Sequence, residues 1–453
     1  MGYVGLTLTA ALVRHGFTVY GVDAQPAVVQ RLRRGETHIF EPGIDDVFGQ
    51  HTGTRIFVGG ELPSHSVDVA ILSVSTPVDQ STHRPYLANL AAAADHVADR
   101  CAPGTLVVVR STVPVGTSRA VVLPRLVRAW GSAPGAVRLV MAPERTIQGQ
   151  ALRELVELPQ VVGGLDELSR SNGVVFFGQF ARQVVPVSSL ETAELVKLTN
   201  NCHTDVIYSF GNEIALLAER LGLDPLEVIR ASNLDYPRPD IARPGYVGGG
   251  CLSKDPYLML STGRSAGYRP RLVEDARILN EQLPGHVARR VVEQLRDLAG
   301  TTRDLTVFVL GWAYKGWPPT DDTRGTPVAS MVPAFRAAGL RVTGHDPLVS
   351  AQVIARYGGV PVDLREGFAE ADAVLVVTDH PEYRSMDLAA LLAGSRVRLV
   401  CDSWRILDEV TVRQCGVRYA GIGYRPEDSE SLPGRPPDPA DPTGVSGTRV
   451  GVT

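Results

Sequence analysis

The chain begins with "MGYVGLTLTAALVRHGFTVYGVD" (residues 1–23), a stretch typical of the start of a dinucleotide-binding fold. Gly2 and Gly5 fit the second and third glycines of the GxGxxG fingerprint. Asp23 follows at the end of the next predicted strand, where a carboxylate can accept hydrogen bonds from ribose hydroxyls. This position favours NAD over NADP as the cofactor. The cofactor-binding candidates in this stretch are Gly2, Tyr3, Val4, Gly5 and Asp23.

The strand that normally precedes this fingerprint, together with its first glycine, is missing from the sequence. One explanation is a misassigned start codon with coding sequence upstream of Met1, and this is the one that we expect. The other explanation is a genuine loss of the central strand, which would damage the sheet and the pyrophosphate site. Equal NAD affinity with and without an upstream extension would favour the second explanation.

Strand and helix patterns alternate through about the first 165 residues and again after about residue 300. Apolar runs such as "VDVAILSV" (67–74) and "GTLVVVRS" (104–111) are typical of parallel strands that are covered on both faces. The stretches "GFTVYGVD" (16–23) and "GLRVTGHD" (339–346) share Gly, Val, Gly and Asp at the same spacing. Such a pattern can also recur by chance in α/β proteins. We predict an α/β protein with two Rossmann-like, doubly wound domains joined by a helical central domain.

The middle of the chain has the apolar spacing of one long helix. We expect this helix to start with a capping box of Ser188 and Glu191 and to end at Gly222. The predicted domains are an NAD-binding domain at 1–187, a helical central and dimerisation domain at 188–300 with a catalytic loop at 245–257, a second Rossmann-like domain at 301–425, and a disordered tail at 426–453.

The composition excludes several classes of protein. The 453 residues carry a formal net charge of -4, so general affinity for nucleic acid is not expected. No run of about 18 apolar residues suggests a membrane span, and no secretory leader is recognisable. The five cysteines form no CxxC pair, so neither a metal site nor a disulfide framework is expected. These features favour a cytoplasmic protein.

The stretch "GYVGGGCLSKDPY" (245–257) places a thiol in a flexible loop beside a lysine and a carboxylate. Of the five cysteines, only Cys251 has these surroundings, which favours a nucleophile over a free structural thiol. Lys197 and Asn201 lie four residues apart on the predicted long helix and therefore share a face. Taken alone, that pair would be typical of a solvated face.

The chain resembles the nucleotide-sugar 6-dehydrogenases, the UDP-glucose and GDP-mannose dehydrogenase family, from residue 1 to about 425. The motifs that carry the resemblance are "GYVGL" (2–6), "EPGID" (41–45), "STPVD" (75–79), "STVPVGTS" (111–118), "APERT" (142–146), "ELVKLTNN" (194–201), "VGGGCLSKDPY" (247–257), "GWAYKGWPPTDDTRGTP" (311–327) and "HDPLV" (345–349). It implies an NAD-dependent, four-electron oxidation of a sugar C6 alcohol to a carboxylate. The implied route passes through a thiohemiacetal and a thioester on Cys251, which suits the chemistry because a thiolate adds readily to an aldehyde.

The resemblance also implies the roles of individual residues. The implied catalytic residues are Cys251, Lys197, Asn201, Asp255, Glu144 as a general base, and Thr112. Further implied cofactor contacts are Thr76, Ser111, Lys254 and Arg324. The implied substrate contacts are Arg145, Arg238, Gly245, Tyr246, Gly249, Gly250, Tyr314 and Lys315, the last two from a nucleotide-sugar-binding C-terminal domain. A homodimer built on the long helix is also implied.

Two positions depart from the family pattern. Gln148 stands where many relatives carry Glu, and Thr204 stands where many carry an arginine. Arg145 and Thr146 replace the Phe-Leu pair of the UDP-glucose branch, which favours UDP-N-acetylmannosamine or UDP-N-acetylglucosamine as the UDP-sugar substrate. The alternatives are UDP-glucose or GDP-mannose oxidation, a catalytically inactive nucleotide-sugar-binding homologue, and a two-electron dehydrogenase that needs no cysteine.

Overall fold

A computed structural model describes residues 1–64, 67–236 and 240–424. Arg238 and the predicted tail at 426–453 lie outside the described residues. Among the described residues, no helix has both the length and the apolar character needed to cross a membrane.

The first region alternates helices and strands as predicted. Its strands are β1 (Val19–Val22), β2 (Ile56–Gly59), β3 (Val69–Leu72), β4 (Leu106–Val109), β5 (Arg138–Met141), β6 (Gln160–Gly164) and β7 (Val184–Val187). Its helices are α1 (Tyr3–Arg14), α2 (Pro26–Arg33), α3 (Ile44–His51), α4 (Ala88–Arg100), α5 (Leu123–Trp130) after a π-helical turn (Ser118–Val122), α6 (Ala151–Glu157) and α7 (Glu167–Phe177).

The strands of this region form two sheets. β3 to β7 pair in sequence order, in parallel except between β5 and β6, while β1 and β2 form a separate parallel pair. Residues 1 and 2 precede α1 and adopt no strand. Helix α1 packs against α3, α6 and β1, and thus connects the small sheet to the rest of the region.

The central region is helical, with α8 (Leu190–Leu221), α9 (Pro225–Asn233), α10 (Gly249–Leu252), α11 (Asp255–Ser265) and α12 (Arg271–Ala299). The long helix ends as predicted, since Gly222 caps it in the left-handed conformation. The predicted start was wrong by one residue, because the hydroxyl of Ser189, and not that of Ser188, accepts the capping bond from the Thr192 amide.

The third region returns to strands and helices. Its strands are β8 (Thr306–Leu310), β9 (Arg341–His345), β10 (Val360–Pro361), β11 (Ala373–Val376), β12 (Leu399–Asp402) and β13 (Arg418–Ala420). Its helices are α13 (Val328–Ala337), α14 (Ala351–Arg356), α15 (Leu364–Glu370), α16 (Pro381–Ser385), α17 (Leu388–Leu392) and α18 (Glu409–Gln414). All strand pairs in the sheet, ordered β10-β9-β8-β11-β12-β13, are parallel, which gives the predicted doubly wound architecture.

Helix α8 joins the two large sheets. Near its start, Leu190 and Ala193 belong to the hydrophobic core of the first region. Near its end, Ala215 belongs to the core shared by α12 and the third region's sheet. Lys197 and Asn201 lie on α8 between these two core contacts.

Candidate active site

A chain of hydrogen bonds joins α8 to the start of α11. Asn201 Oδ1 accepts from Lys197 Nζ at 3.3 Å, and its amide nitrogen donates to Asp255 Oδ2. The other oxygen of Asp255 accepts from Lys254 Nζ at 2.6 Å. Asp255 is fully buried, so these charged and amide donors replace the water that its carboxylate has lost. The four polar residues that the sequence singled out in α8 and the catalytic loop thus form one network.

The network continues to the strand ends of the first region. Lys254 Nζ lies 3.5 Å from Thr76 Oγ1, which donates to the carbonyl of Thr112 at 2.6 Å. Ser111 Oγ donates to the carbonyl of Val74 at 2.6 Å. These residues follow β3 and β4, at the sheet edge where doubly wound folds bind nucleotides.

Cys251 lies in the short helix α10 and is accessible to solvent. Its pKa is raised because the surrounding protein atoms desolvate the thiol and because Asp255 is close. Three cations, on Lys197, Lys254 and Arg324, act in the opposite direction. In this state of the protein, the thiol is therefore mainly protonated at neutral pH and has cations around it to stabilise negative charge.

Buried polar groups that sequence analysis missed hold the catalytic loop. Arg277 Nη1 donates to Asp205 Oδ1 and to the carbonyl of Leu252, both at 2.8 Å, and Arg277 Nη2 donates to the carbonyl of Val247 at 3.3 Å. Asn212 exchanges two hydrogen bonds with the backbone of Gly245. The only signal in the sequence was polar residues on otherwise apolar helix faces.

The glycines of this loop are approached by protein atoms, where we expected a ligand. A Cβ at Gly250 would lie 2.5 Å from Cζ of Arg324, and one at Gly249 would lie 2.8 Å from the ring of Tyr314. Gly249 also has a φ of +85°, which a side chain would strain. Likewise, Gly245 packs against the ring of Trp404. The small residues thus allow close contact between the loop and the third region.

The side chain of Tyr246 is buried, and its hydroxyl lies 2.7 Å from Ser403 Oγ. Its proposed substrate contact could therefore involve only its backbone. Arg145 is half-buried, and its guanidinium donates to the carbonyl of Pro159. Burial lowers the pKa of Arg145, although Glu144 opposes the shift.

Glu144 is held by four donors. Arg110 donates to Oε2 through Nε at 3.1 Å and Nη2 at 2.7 Å, while the amides of Arg145 and Thr146 donate to Oε1 at 2.8 and 2.9 Å. Burial raises the pKa of Glu144, but Arg110 and the amides outweigh it, so the net shift is downward. Glu144 is therefore ionised and fully hydrogen-bonded. Sequence analysis missed Arg110, whose side chain is buried directly after β4.

Glu41, in the "EPGID" motif, connects α1 to the segment that follows Glu144. It accepts from the Tyr3 hydroxyl at 2.5 Å and from the amides of Gly149 and Ala151 at 2.7 and 2.8 Å. Burial and Glu41 together raise the pKa of Tyr3. The side chain of Tyr3 is thus committed to Glu41, and a cofactor would meet its backbone.

Tyr314 and Lys315 follow β8 and reach the first region. Lys315 Nζ donates to the carbonyl of Gln148 at 2.8 Å and lies 5.6 Å from the centre of the Tyr314 ring. Burial lowers the pKa of Lys315 to about 8. This lysine can therefore gain or lose its charge close to neutral pH.

The first residues of α1 fit a dinucleotide. Gly2 precedes the helix and no side chain caps its first amides, which leaves them available for phosphate oxygens. A Cβ at Gly5 would lie 3.3 Å from Ser73 Oγ, so this glycine allows close packing of helix and strand. Asp23 accepts from the amide of Gln25 at 2.8 Å and from the amino group of Met1 at 2.7 Å. Its carboxylate retains acceptor sites for ribose hydroxyls.

The two departures from the family pattern have defined contacts. Thr204 Oγ1 donates to the carbonyl of Asn200 at 3.0 Å, within its own helix. Gln148 Nε2 donates to Asp322 Oδ2 at 2.8 Å. The described residues hold no group of three or more His, Cys, Asp or Glu side chains suited to a metal ion.

Comparison with protein families gives three matches in chain order. The models for the UDP-glucose/GDP-mannose dehydrogenase family match as the NAD binding domain at residues 1–181, the central domain at 191–282 and the UDP binding domain at 308–409.

Individual relatives match over nearly their whole length. The UDP-N-acetyl-D-mannosamine dehydrogenase of Pyrococcus horikoshii is 32% identical over 93% of this chain and 97% of the relative. The UDP-glucose 6-dehydrogenase of Rhizobium meliloti is 31% identical over 94% of this chain and 98% of the relative. Among solved structures, a UDP-D-ManNAc dehydrogenase from Pyrococcus horikoshii matches with a TM-score of 0.83 at 32% identity, covering 93% of this chain and 97% of that one. A UDP-glucose dehydrogenase from Pyrobaculum islandicum matches with a TM-score of 0.79 at 28% identity, covering 93% of this chain and 96% of that one.

Proposed function

The chain belongs to the UDP-glucose/GDP-mannose dehydrogenase family, and we propose that it is an NAD-dependent UDP-sugar 6-dehydrogenase whose reaction passes through Cys251. The observation that carries this proposal is the network of Lys197, Asn201, Asp255 and Lys254 beside the thiol. The proposed domains are an NAD-binding domain at 1–187, a central domain at 188–300 and a UDP-sugar-binding domain at 301–425.

When bound, NAD⁺ accepts one hydride in each of the two oxidation steps. The overall balance is one alcohol, two NAD⁺ and one water giving one carboxylate, two NADH and three protons. Between the two hydride transfers, the sulfur of Cys251 bonds to C6 of the aldehyde to form a thiohemiacetal. Loss of the second hydride from C6, together with the proton of the C6 hydroxyl, leaves the thioester.

The cation of Lys197 and the amide of Asn201 supply donors for the negative oxygen that develops at C6. Asp255 orients Asn201 from the buried side, and Lys254 balances the charge of Asp255. The same cations oppose the raised pKa of Cys251, so that they favour the thiolate.

Hydrolysis of the thioester needs a water that is oriented and deprotonated. Glu144 and Thr112 are the proposed partners of this water. The lowered pKa of Glu144 makes it a weak base, and its four donors fill the acceptor sites of a carboxylate. Glu144 can therefore accept the proton of a water only after one of these contacts opens.

We propose UDP-N-acetylmannosamine or UDP-N-acetylglucosamine as the substrate, a choice supported by the named activity of the Pyrococcus horikoshii relative. UDP-glucose is the second candidate because the Rhizobium meliloti relative, a UDP-glucose 6-dehydrogenase, is almost equally similar. Uronate formation by a cytoplasmic enzyme would supply polysaccharide biosynthesis.

A homodimer built on α8 is also proposed. Phe210, Leu217 and Leu221 lie at helical spacing on α8 and are 52%, 54% and 47% exposed. Three large apolar side chains exposed on one helix are typical of an interface. Sedimentation equilibrium of the full chain would test this proposal, and a monomer at micromolar concentration would contradict it.

The decisive experiment measures NADH released per mole of limiting UDP-N-acetylmannosamine, UDP-N-acetylglucosamine or UDP-glucose. Two NADH per sugar are expected, and the sugar that gives them is the substrate. One NADH would indicate a two-electron alcohol dehydrogenase, while binding without NADH would indicate an inactive homologue or another sugar.

Substitution of the proposed nucleophile tests the covalent route. Cys251→Ser should abolish net formation of the uronate while NAD affinity is retained. The matched control is Cys415→Ser, which removes the other exposed thiol and should leave turnover unchanged. Full net oxidation by Cys251→Ser would remove the cysteine from the mechanism.

A further inference from the structure

Gln148 connects the first region to the third through both its backbone and its side chain. Its carbonyl accepts from Lys315 Nζ at 2.8 Å, and its amide nitrogen donates to Asp322 Oδ2 at 2.8 Å. Only the nitrogen of an amide can donate to a carboxylate, so this contact fixes the orientation of the amide. The orientation leaves Gln148 Oε1 buried without a hydrogen-bond partner in the described part of the chain.

Asp322 in turn orients Arg324. Its side chain is only 11% exposed, and it accepts from Arg324 Nε at 3.0 Å and from Arg324 Nη2 at 2.6 Å. Two parallel bonds to one carboxylate hold a guanidinium more rigidly than a single contact does. Arg324 is otherwise exposed, so Asp322 is what keeps its guanidinium in one place.

The oriented guanidinium lies against Gly250, the residue before Cys251, and its charge acts on the thiol. A Cβ added to Gly250, the residue before Cys251, would come within 2.5 Å of Arg324 Cζ. The backbone is also joined here, because the amide of Gly249 donates to the carbonyl of Arg324 at 2.9 Å. The position of Arg324 thus determines part of the positive charge that the thiol experiences.

We infer that Gln148 is a positioning residue, which holds Asp322 and thereby fixes the Arg324 guanidinium against Gly250, beside the thiol of Cys251. The inference rests on the proposed role of Cys251 and adds a residue that acts on the thiol through two others. A carboxylate at position 148 would face Asp322 at hydrogen-bond distance, and two ionised carboxylates repel each other there. Glutamine is the nearly isosteric side chain that avoids this repulsion and donates a hydrogen bond.

The test measures alkylation of Cys251 by iodoacetamide as a function of pH, followed by mass spectrometry of the Cys251 peptide in the full chain. Gln148→Glu should move the midpoint of alkylation upward by roughly half a pH unit or more, because Arg324 is displaced and negative charge is added. Gln148→Met, which loses the bond without adding charge, should move it by less in the same direction. Alkylation of Cys415, the other exposed thiol, is the internal control and should not change.

The charge added by Gln148→Glu could act directly on the thiol, and the Asp322→Asn background separates this effect. In the Asp322→Asn background, the amide at position 322 can donate to the carboxylate that Gln148→Glu introduces. Gln148→Glu should therefore shift the alkylation midpoint less in this background than in the wild type. Equal shifts in the two backgrounds, or no shift in Gln148→Glu, would overturn the inference. Thermal melting and far-UV circular dichroism of each variant show that it is folded. Alkylation needs no turnover, so a protein that shows these shifts but releases no NADH would refute the proposed function and leave this inference standing.

Discussion

Asp23 and Asp346 end the same sequence pattern in the two strand-rich regions, yet they bind different partners. Asp346 accepts from four backbone amides, those of Trp312 and Ala313 at 2.6 and 3.2 Å and those of Leu348 and Val349 at 2.9 and 2.8 Å. Asp23 accepts from one backbone amide and from the amino group of Met1. Four donors fill the acceptor sites of a carboxylate, so Asp346 has none left for a ribose.

Asp346 fixes the loop that follows β8 in the third region. Trp312 and Ala313 lie between β8 and the pair Tyr314–Lys315, so Asp346 fixes the start of the segment that presents this pair. Trp312 is fully buried, and its ring packs against Gly344. One pattern therefore ends in a carboxylate with open acceptor sites in the first region and in a carboxylate that fixes the loop after β8 in the third.

The largest expected difference between the two aspartates is in stability. Asp346→Ala should lower the free energy of unfolding by about 3 kcal/mol, since four amides lose a charged acceptor and water can replace it only in part. Asp23→Ala should lower it by less than about 1 kcal/mol. Urea denaturation measures both values.

The matched control for this prediction is Asp346→Asn, which keeps one acceptor oxygen. It should lower the free energy of unfolding by about half as much as Asp346→Ala does. Equal losses for Asp23→Ala and Asp346→Ala would contradict the distinction between the two carboxylates.

The next effect is on the cofactor. Asp23→Ala should weaken NAD binding by about tenfold, or about 1.4 kcal/mol, through the loss of an acceptor for the ribose. Burial opposes ionisation of Asp23, but hydrogen bonds from the Met1 amine and the Gln25 amide lower its pKa, so the wild-type affinity should stay constant from neutral to mildly acidic pH. Fluorescence titration with NADH measures this. Asp346→Asn should retain NAD affinity. Unchanged NAD affinity in Asp23→Ala would contradict the proposed contact between Asp23 and the ribose.

The sequence predicted the architecture well because apolar runs and their spacing depend on local burial. The runs at 67–74 and 104–111 became β3 and β4, and Gly222 ends α8. The start of α8 was misplaced because Ser188 and Ser189 are both good capping residues, and only the backbone geometry distinguishes them. Local patterns thus locate elements better than they locate the ends of elements.

The contacts that build the site were much less accessible from the sequence. Arg277 lies 72 residues from Asp205 along the chain, and nothing local indicates that the two are paired. The catalytic loop glycines suggested a ligand, whereas Tyr314 and Arg324 come close to them from the third region. Motifs name the residue types that the chemistry needs, but long-range packing determines which of them meet.

The smallest expected effect concerns Lys315, the candidate ligand-binding side chain of the third region. Burial lowers the pKa of Lys315 to about 8, so its cation is present below that pH and is lost above it. If Lys315 binds the diphosphate, the affinity for UDP should fall by about fourfold between pH 7 and pH 8.5 in the free enzyme. Titration calorimetry with UDP measures this without involving Cys251.

Lys315→Arg keeps its charge over this range and should bind UDP with little dependence on pH. NAD affinity, which relies on an ionised Asp23, should stay constant in both proteins. If the affinity of Lys315→Arg for UDP falls by the same factor, another group titrates. Lys315 would then not be the contact of the UDP diphosphate in the third region.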